Sequence, residues 1–290
     1  MLKHSLLVAL SLATATLGCA EHNYHAQLAK RQDGGSGGNS STGPEASDWS
    51  YDASFDWGRV SADEVEIVPS GITRGNYELC QAGTQQSPIA LSLNNGLSQN
   101  HIPTFNYPNE TVGNFWNWGY GPAFTVQHTE GVYTDNPSLT YDNETVYLTG
   151  WHIHTPADHS VNNYRTRAEL HLVHVDAEGH EKAVLAIMLD PGNTNDAFVS
   201  QFPNPLIRFN DTATMEVTLS LTEGLSSVER FNEFWSYEGS LTSPPCHEGI
   251  RWFVARQVMF TSNEQMQKIL AASTYSAREE QMVWQHRINE

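Results

Sequence analysis

Alternation of side-chain character with a period of two recurs along this chain and decides its fold class. It is seen in Ala123-Phe124-Thr125-Val126-Gln127-His128, in Thr145-Val146-Tyr147-Leu148, in Glu169-Leu170-His171-Leu172-Val173-His174-Val175 and in Met215-Glu216-Val217-Thr218-Leu219. Successive side chains of a strand point to opposite faces, so these segments read as β-strands. Their β-branched residues and the turn-forming Asn, Gly and Asp between them agree. Ala183-Val184-Leu185-Ala186-Ile187-Met188-Leu189 is apolar throughout and stops at Pro191-Gly192. A buried helix turn would look similar, but the length favours a strand covered on both faces. Helical signals are few. Thr261-x-x-Glu264 resembles a capping box before Met266, Ile269 and Leu270, and 199–202 and 228–235 are candidates for short helices. No internal repeat is visible. The expectation is a mainly β single domain, with a large twisted, mostly antiparallel central sheet and small peripheral helices.

The chain has 290 residues and a formal net charge of −18. That charge would be repelled by nucleic acid and by anionic membranes, so neither is expected as a partner. Residues 1–20 read as a secretory signal peptide. Lys3 is the positive start, Leu6 to Leu12 is too short to span a bilayer, and Gly18 and Ala20 are small residues at cleavage spacing. Thr16-Leu17-Gly18-Cys19 also resembles a bacterial lipobox, a reading that the glycosylation signals below oppose. Residues 21–31 end at Lys30-Arg31 and read as a propeptide with a dibasic cut site. Residues 32–47 are Gly/Ser-rich and read as a flexible tail. The folded domain is expected over 48–290.

Four Asn-x-Ser/Thr sequons, at Asn39, Asn109, Asn143 and Asn210, favour a glycosylated, secreted protein. Of three cysteines, Cys19 leaves with the signal peptide. Cys80 and Cys246 remain, an even number in an oxidising compartment, and a single disulfide is the natural inference. In the chain-entropy picture so long a loop gives roughly 3–5 kcal/mol.

The chemistry concentrates in two alternating segments. His152 and His154 stand two residues apart, on one face of a strand. Glu169, His171 and Val173 share a face of the next, while His174 points away. If the two strands pair, three imidazoles converge. Three neutral imidazoles suit Zn²⁺ with a fourth, open position, the mark of a catalytic rather than structural site. Glu169 is placed to receive the second N–H of a ligating histidine. A His-x-His pair alone is more often an accident of surface or core. The added Glu-x-His on a second strand is what turns it into a metal prediction. His159 and His174 are read as structural.

These motifs resemble those of alpha-class carbonic anhydrases. His152-Ile-His154, Glu169-Leu-His171 and Ser240-Leu-Thr-Ser-Pro-Pro245 carry the resemblance, with Gln86-Ser87-Pro88-Ile89, Trp235-x-Tyr237-x-Gly239 and Ile250-Arg-Trp252 in the same order. The resemblance implies reversible hydration of carbon dioxide to bicarbonate and a proton, by attack of hydroxide on zinc held by His152, His154 and His171. Thr242 would orient that hydroxide and pass its own proton to a buried carboxylate, here Asp158. Val173, Val184, Leu241, Ile250 and Trp252 would line the apolar substrate pocket, Ser243 would touch bicarbonate, and Tyr51 would belong to the polar rim. Cys80 and Cys246 sit where secreted members carry their disulfide. Carbon dioxide and bicarbonate are the expected partners, with a homodimer as the one assembly allowed for.

Three departures stand out. Pro122 occupies the position where fast members often carry a proton-shuttle histidine. Asp158 replaces a glutamate, so that either the backbone moves inward or the Thr242 contact is loosened. Gly150 replaces a glutamine that supports the first zinc histidine. Beyond residue 271 only Arg278-Glu-Glu-Gln281 resembles the family. A competing reading is a non-catalytic binding module with the same fold. Such relatives typically lose a zinc histidine, and all three are retained here. A dedicated zinc hydrolase of the His-Glu-x-x-His type is opposed by the absence of that motif.

Overall fold

The computed structural model describes residues 49–59 and 77–290; the expected signal peptide, propeptide, Gly/Ser-rich tail and Asn39 lie outside the described residues. The strands, in chain order, are β1 (Ala90–Leu91), β2 (Thr104–Asn106), β3 (Thr111–Asn117), β4 (Pro122–Val126), β5 (Ser138–Tyr141), β6 (Glu144–His154), β7 (Ser160–Val161), β8 (Ala168–Val175), β9 (Glu181–Gly192), β10 (Met215–Leu219), β11 (Phe234–Ser240), β12 (Glu248–Ala255) and β13 (Met259–Ser262). Eleven form one sheet with the main order β10-β3-β4-β6-β8-β9-β12-β11, while β1 and β7 pair apart. Within the large sheet the pairings are antiparallel except where β12 and β13 run parallel to β9, and the separate β1–β7 pair is parallel. The mainly β, mostly antiparallel expectation agrees with this mixed sheet. Among the described residues no helix is long and apolar enough to cross a membrane.

Two long strands organise the sheet. On one edge of β6, residues 144–147 pair with β5 and residues 150–152 pair with β4. A register shift on the β8 side falls between Leu148 and Gly150. A Cβ at Gly150 would lie 2.2 Å from the Phe124 carbonyl oxygen, so the close approach of β4 excludes any side chain there. The missing glutamine therefore has a steric cause. β9 likewise takes β12 along 183–186 and β13 along 189–192.

The period of two sorts the core into opposite faces. Trp151, Ile153, Leu170, Leu172, Leu185, Ile187 and Leu189 join one cluster with Phe198, Leu225 and Ile269 from the peripheral helical segments. Val173, Val184, Ala186, Met188, Trp252 and Val254, from intervening positions, join the other. Each fully buried large apolar side chain contributes about 1.5–3 kcal/mol relative to exposure. The apolar run of β9 is thus explained by cover on both sides.

Two helical expectations shift. The capping box before helix Asn263–Ala272 is Ser262 with Gln265, not Thr261 with Glu264. Both pairs have the spacing, but Thr261 is held in β13 opposite Pro191, and Glu264 instead pairs with Lys268 at 2.8 Å. Of 228–235 only Glu229–Phe231 is a 3₁₀ turn, because β11 has begun by Phe234; 199–202 contains the 3₁₀ turn Val199–Gln201.

His174 faces the first cluster, fully buried, with Nε2 2.5 Å from Tyr107 Oη. Burial pushes its pKa down to about 3. The unfolded chain would protonate this imidazole near 6.5, so its stability contribution is complete above that value and is lost as pH falls from 6.5 toward 3. Between pH 7 and pH 5 the loss from this group is about 2 kcal/mol. Urea unfolding at the two pH values should show a lower midpoint at pH 5, with a shallower decline in His174→Gln. Equal slopes for parent and variant would contradict the assignment.

Candidate metal centre

Antiparallel pairing of β6 and β8 places His152 opposite His171 and His154 opposite Glu169. The ring centroids of the three histidines lie 4.8, 5.3 and 4.5 Å apart, and their candidate ligand atoms fall within 4.8 Å of one another. The predicted convergence of His152, His154 and His171 is therefore present in the geometry. All three are buried, His152 at 8% exposure and the others at 1%.

Hydrogen bonds fix the tautomers of two rings. His154 Nδ1 donates to the Ser276 carbonyl oxygen at 2.6 Å, and His171 Nε2 donates to Glu169 Oε1 at 2.7 Å. The lone pairs left over are on His154 Nε2 and His171 Nδ1. His152 Nε2 lies 2.9 Å from His154 Nε2, while its own Nδ1 is buried without a partner. Burial, then the neighbouring histidines, holds His152 well below the usual imidazole pKa, and burial lowers His154 as well. Burial alone would raise the Glu169 pKa, but its contacts with His159 and His171 hold the carboxyl well below its ordinary range. Glu169 also accepts from the His159 amide at 2.8 Å and lies 2.6 Å from His159 Nδ1. Its carboxylate is thus shared between two rings, His159 and His171. Buried imidazoles with ring nitrogens turned toward one another are a donor set that a divalent cation satisfies, and nitrogen donors suit zinc.

Around this cluster, Val173, Val184, Leu241, Ile250 and Trp252 form part of one apolar group, with the Trp252 ring 4.9 Å from His171. Thr242 and Ser243 are buried at 5% and 9% exposure in the loop after β11. The expected link from Thr242 to Asp158 is not made. Asp158 Oδ1 accepts from the Arg278 amide at 2.8 Å, and Oδ2 has no hydrogen-bond partner, 3.5 Å from His154 Nδ1. The shortened side chain rests on Arg278 and does not reach the hydroxyl, so the loosened contact is the one realised. Tyr51, expected on a polar rim, is largely buried among Trp49, Trp57, Trp118 and Tyr120, with its ring 5.8 Å from His154. One side of it lines a groove of about 840 Å³ with Ser54, Phe55, Tyr275 and Glu279. Pro122 is buried in β4 opposite Asn117 and offers no proton-carrying group.

Cys80 and Cys246 form a disulfide across 166 residues, tying the turn before Gln86 to the loop that carries Thr242. Asn109, Asn143 and Asn210 are exposed and open to modification. Sequence reasoning did not find Ser276 or Trp118, and it marked Arg278 only as part of Arg278-Glu-Glu-Gln281, with no role. The chain after residue 271 runs back over the site: Thr274 donates its amide to Tyr120, Ser276 to Thr155 and Gln281 to Pro88. Arg278-x-x-Gln281 was the available signal, and its flanks hid it. His159 and Tyr237 extend the network, with Tyr237 Oη 2.7 Å from His159 Nε2 and 3.0 Å from Ser87 Oγ.

Comparison with known proteins places these features. The family model for eukaryotic-type carbonic anhydrase matches residues 73–289. Alpha carbonic anhydrase 3 of Arabidopsis thaliana is 28% identical over 200 residues, 67% of this chain and 68% of its own length. A carbonic anhydrase of Pectobacterium atrosepticum is 30% identical over 224 residues, 75% of this chain and 80% of its own. Among solved structures, the fungal alpha carbonic anhydrase of Aspergillus oryzae superposes with a TM-score of 0.63 at 22% identity, covering 77% of this chain and 95% of that one; at that identity it speaks to the fold.

Proposed function

The chain belongs to the eukaryotic-type carbonic anhydrase family, and on that premise we propose that it is a secreted zinc enzyme interconverting carbon dioxide and bicarbonate. The observation that carries the reading is the cluster of three buried imidazoles beside a group of apolar side chains. His152, His154 and His171 would hold the ion, with Glu169 and the Ser276 carbonyl fixing two of the rings. Zinc supplies acid strength, lowering the pKa of a bound water to about 7, the established value for carbonic anhydrase.

The protein's own groups account for the rest. Carbon dioxide is uncharged and apolar, and Val173, Val184, Leu241, Ile250 and Trp252 offer it a dry surface next to His171. The Thr242 hydroxyl orients the attacking oxygen by accepting its proton in a hydrogen bond, and Ser243 contacts the product. Asp158 supports that loop through Arg278 rather than through Thr242 directly. The disulfide suits an oxidising compartment, in keeping with a signal peptide and with sugars at the exposed sequons.

Stopped-flow hydration by the purified protein, before and after zinc removal by a chelator, tests the proposal. Activity that a chelator leaves untouched, or purified protein devoid of metal, rejects it. The buried Pro122 adds a second expectation: kcat should rise with buffer concentration, because the proton must be collected by buffer. A high rate indifferent to buffer from about 5 to 100 mM would show an internal route instead.

A further inference from the structure

Two of the three imidazoles are steered by hydrogen bonds, and the third is not. His152 Nδ1 is buried without a partner. Position 150, two residues before it on the same strand face, cannot supply one, because a Cβ there would meet the Phe124 carbonyl at 2.2 Å. The remaining polar contact of the ring, Nε2 to His154 Nε2 at 2.9 Å, uses the atom that faces the other ligands. What fixes the ring plane is packing. The Trp118 indole lies 5.0 Å from the His152 ring, tilted by 60°, and 5.1 Å from the His154 ring.

Trp118 is well placed to hold that position. Its Nε1 donates to the Ile153 carbonyl oxygen, between the two histidines, at 3.2 Å. Its backbone amide donates to Gly121 at 3.1 Å, and Tyr120 and Tyr51 pack on it at 5.0 and 6.0 Å. The side chain is 5% exposed, so it cannot swing away without opening the aromatic cluster.

We propose that Trp118 is the positioning residue for the metal ligand His152, substituting indole packing for the missing hydrogen-bond partner. The inference rests on the zinc reading above and adds a residue to it. A side chain that orients a ligand without touching the ion acts on the affinity and release rate of the metal, since a misaligned ring must be reordered at each binding event.

The test is the rate at which zinc passes from the purified holoprotein to an excess of a chromogenic chelator. Trp118→Ala should speed release by about 10- to 100-fold, and Trp118→Phe, which keeps an aromatic face, by about threefold or less. Trp57→Phe is the control; that indole belongs to the same cluster, but its ring contacts are with Trp49, Tyr51 and Arg278, not with a histidine. It should lower thermal stability without changing zinc release. Release from Trp118→Ala within about twofold of the parent overturns the proposal, as does an equal acceleration in Trp57→Phe. If Trp118→Ala does not fold, Trp118→Leu carries the same expectation as the alanine variant. A parent protein that binds no zinc rejects the proposed function itself, an outcome separate from a parent that holds zinc and an alanine variant that holds it as well.

Discussion

Replacing His171 by alanine should remove tight zinc binding and reduce carbon dioxide hydration by on the order of a thousandfold or more. The effect is large because His171 is the member of the three-histidine cluster that β8 supplies, directly opposite His152, and two histidines from β6 cannot close a tetrahedral set. The substitution also leaves Glu169 without one of the two rings it serves, so the damage spreads to the position of His159. Metal content by elemental analysis and stopped-flow hydration give the two readouts. His174→Gln is the matched control. It lies three residues along the same strand but faces the other core cluster, packed against Tyr107. It should keep its zinc while losing stability. Equal metal content in parent and His171→Ala would remove the basis for the catalytic reading.

The same face argument explains what the sequence makes legible. A period of two is a local property: before any partner strand is known it puts His152 and His154 on one face of their strand, and Glu169, His171 and Val173 on one face of theirs. That the two faces coincide depends on the pairing of β6 with β8, which the structure supplies. The doubly apolar β9 carries no alternation and was legible from its length and its stop at Pro191-Gly192. What stayed hidden depends on distant chain returning to the site. Ser276 acts through its backbone carbonyl, which carries no residue signature, and it reaches His154 only because 274–281 straps across the sheet. Trp118 reads as one more aromatic core residue; its contact with His152 and His154 depends on the turn to Gly121. The capping box shifted by one residue because two overlapping patterns fit, and only pairing of Thr261 with β9 separates them. Asp158 was assigned to its buried place, yet its partner changed, since one methylene decides whether a carboxylate reaches a hydroxyl or an amide.

Substitution of Arg278 by methionine should cost about 3–5 kcal/mol, the range for removing one member of a buried charged network. The guanidinium is fully buried and ties together three stretches of chain, around Cys80, Gln86-Ser87 and Leu241. It donates to Ser87 O at 2.6 Å, to Leu241 O at 3.3 Å, to Cys80 O at 2.8 Å and to Gln86 Oε1 at 2.9 Å, while its own amide holds Asp158. Burial pushes its pKa down to about 10, against the pull of Asp158, so it stays charged at neutral pH. Methionine matches much of the volume but leaves those acceptors bare and Asp158 without its nearby cation. At about 2–4 °C per kcal/mol for a domain of this size, the melting temperature should fall by roughly 10 °C. Lysine should recover only part of the loss, because one ammonium cannot span acceptors that a planar fork reaches together. Activity should fall further than stability alone explains, because the Leu241 carbonyl that Arg278 holds precedes Thr242 in the chain. A melting temperature within about 2 °C of the parent would show that the acceptors find other donors and that the strap is anchored elsewhere.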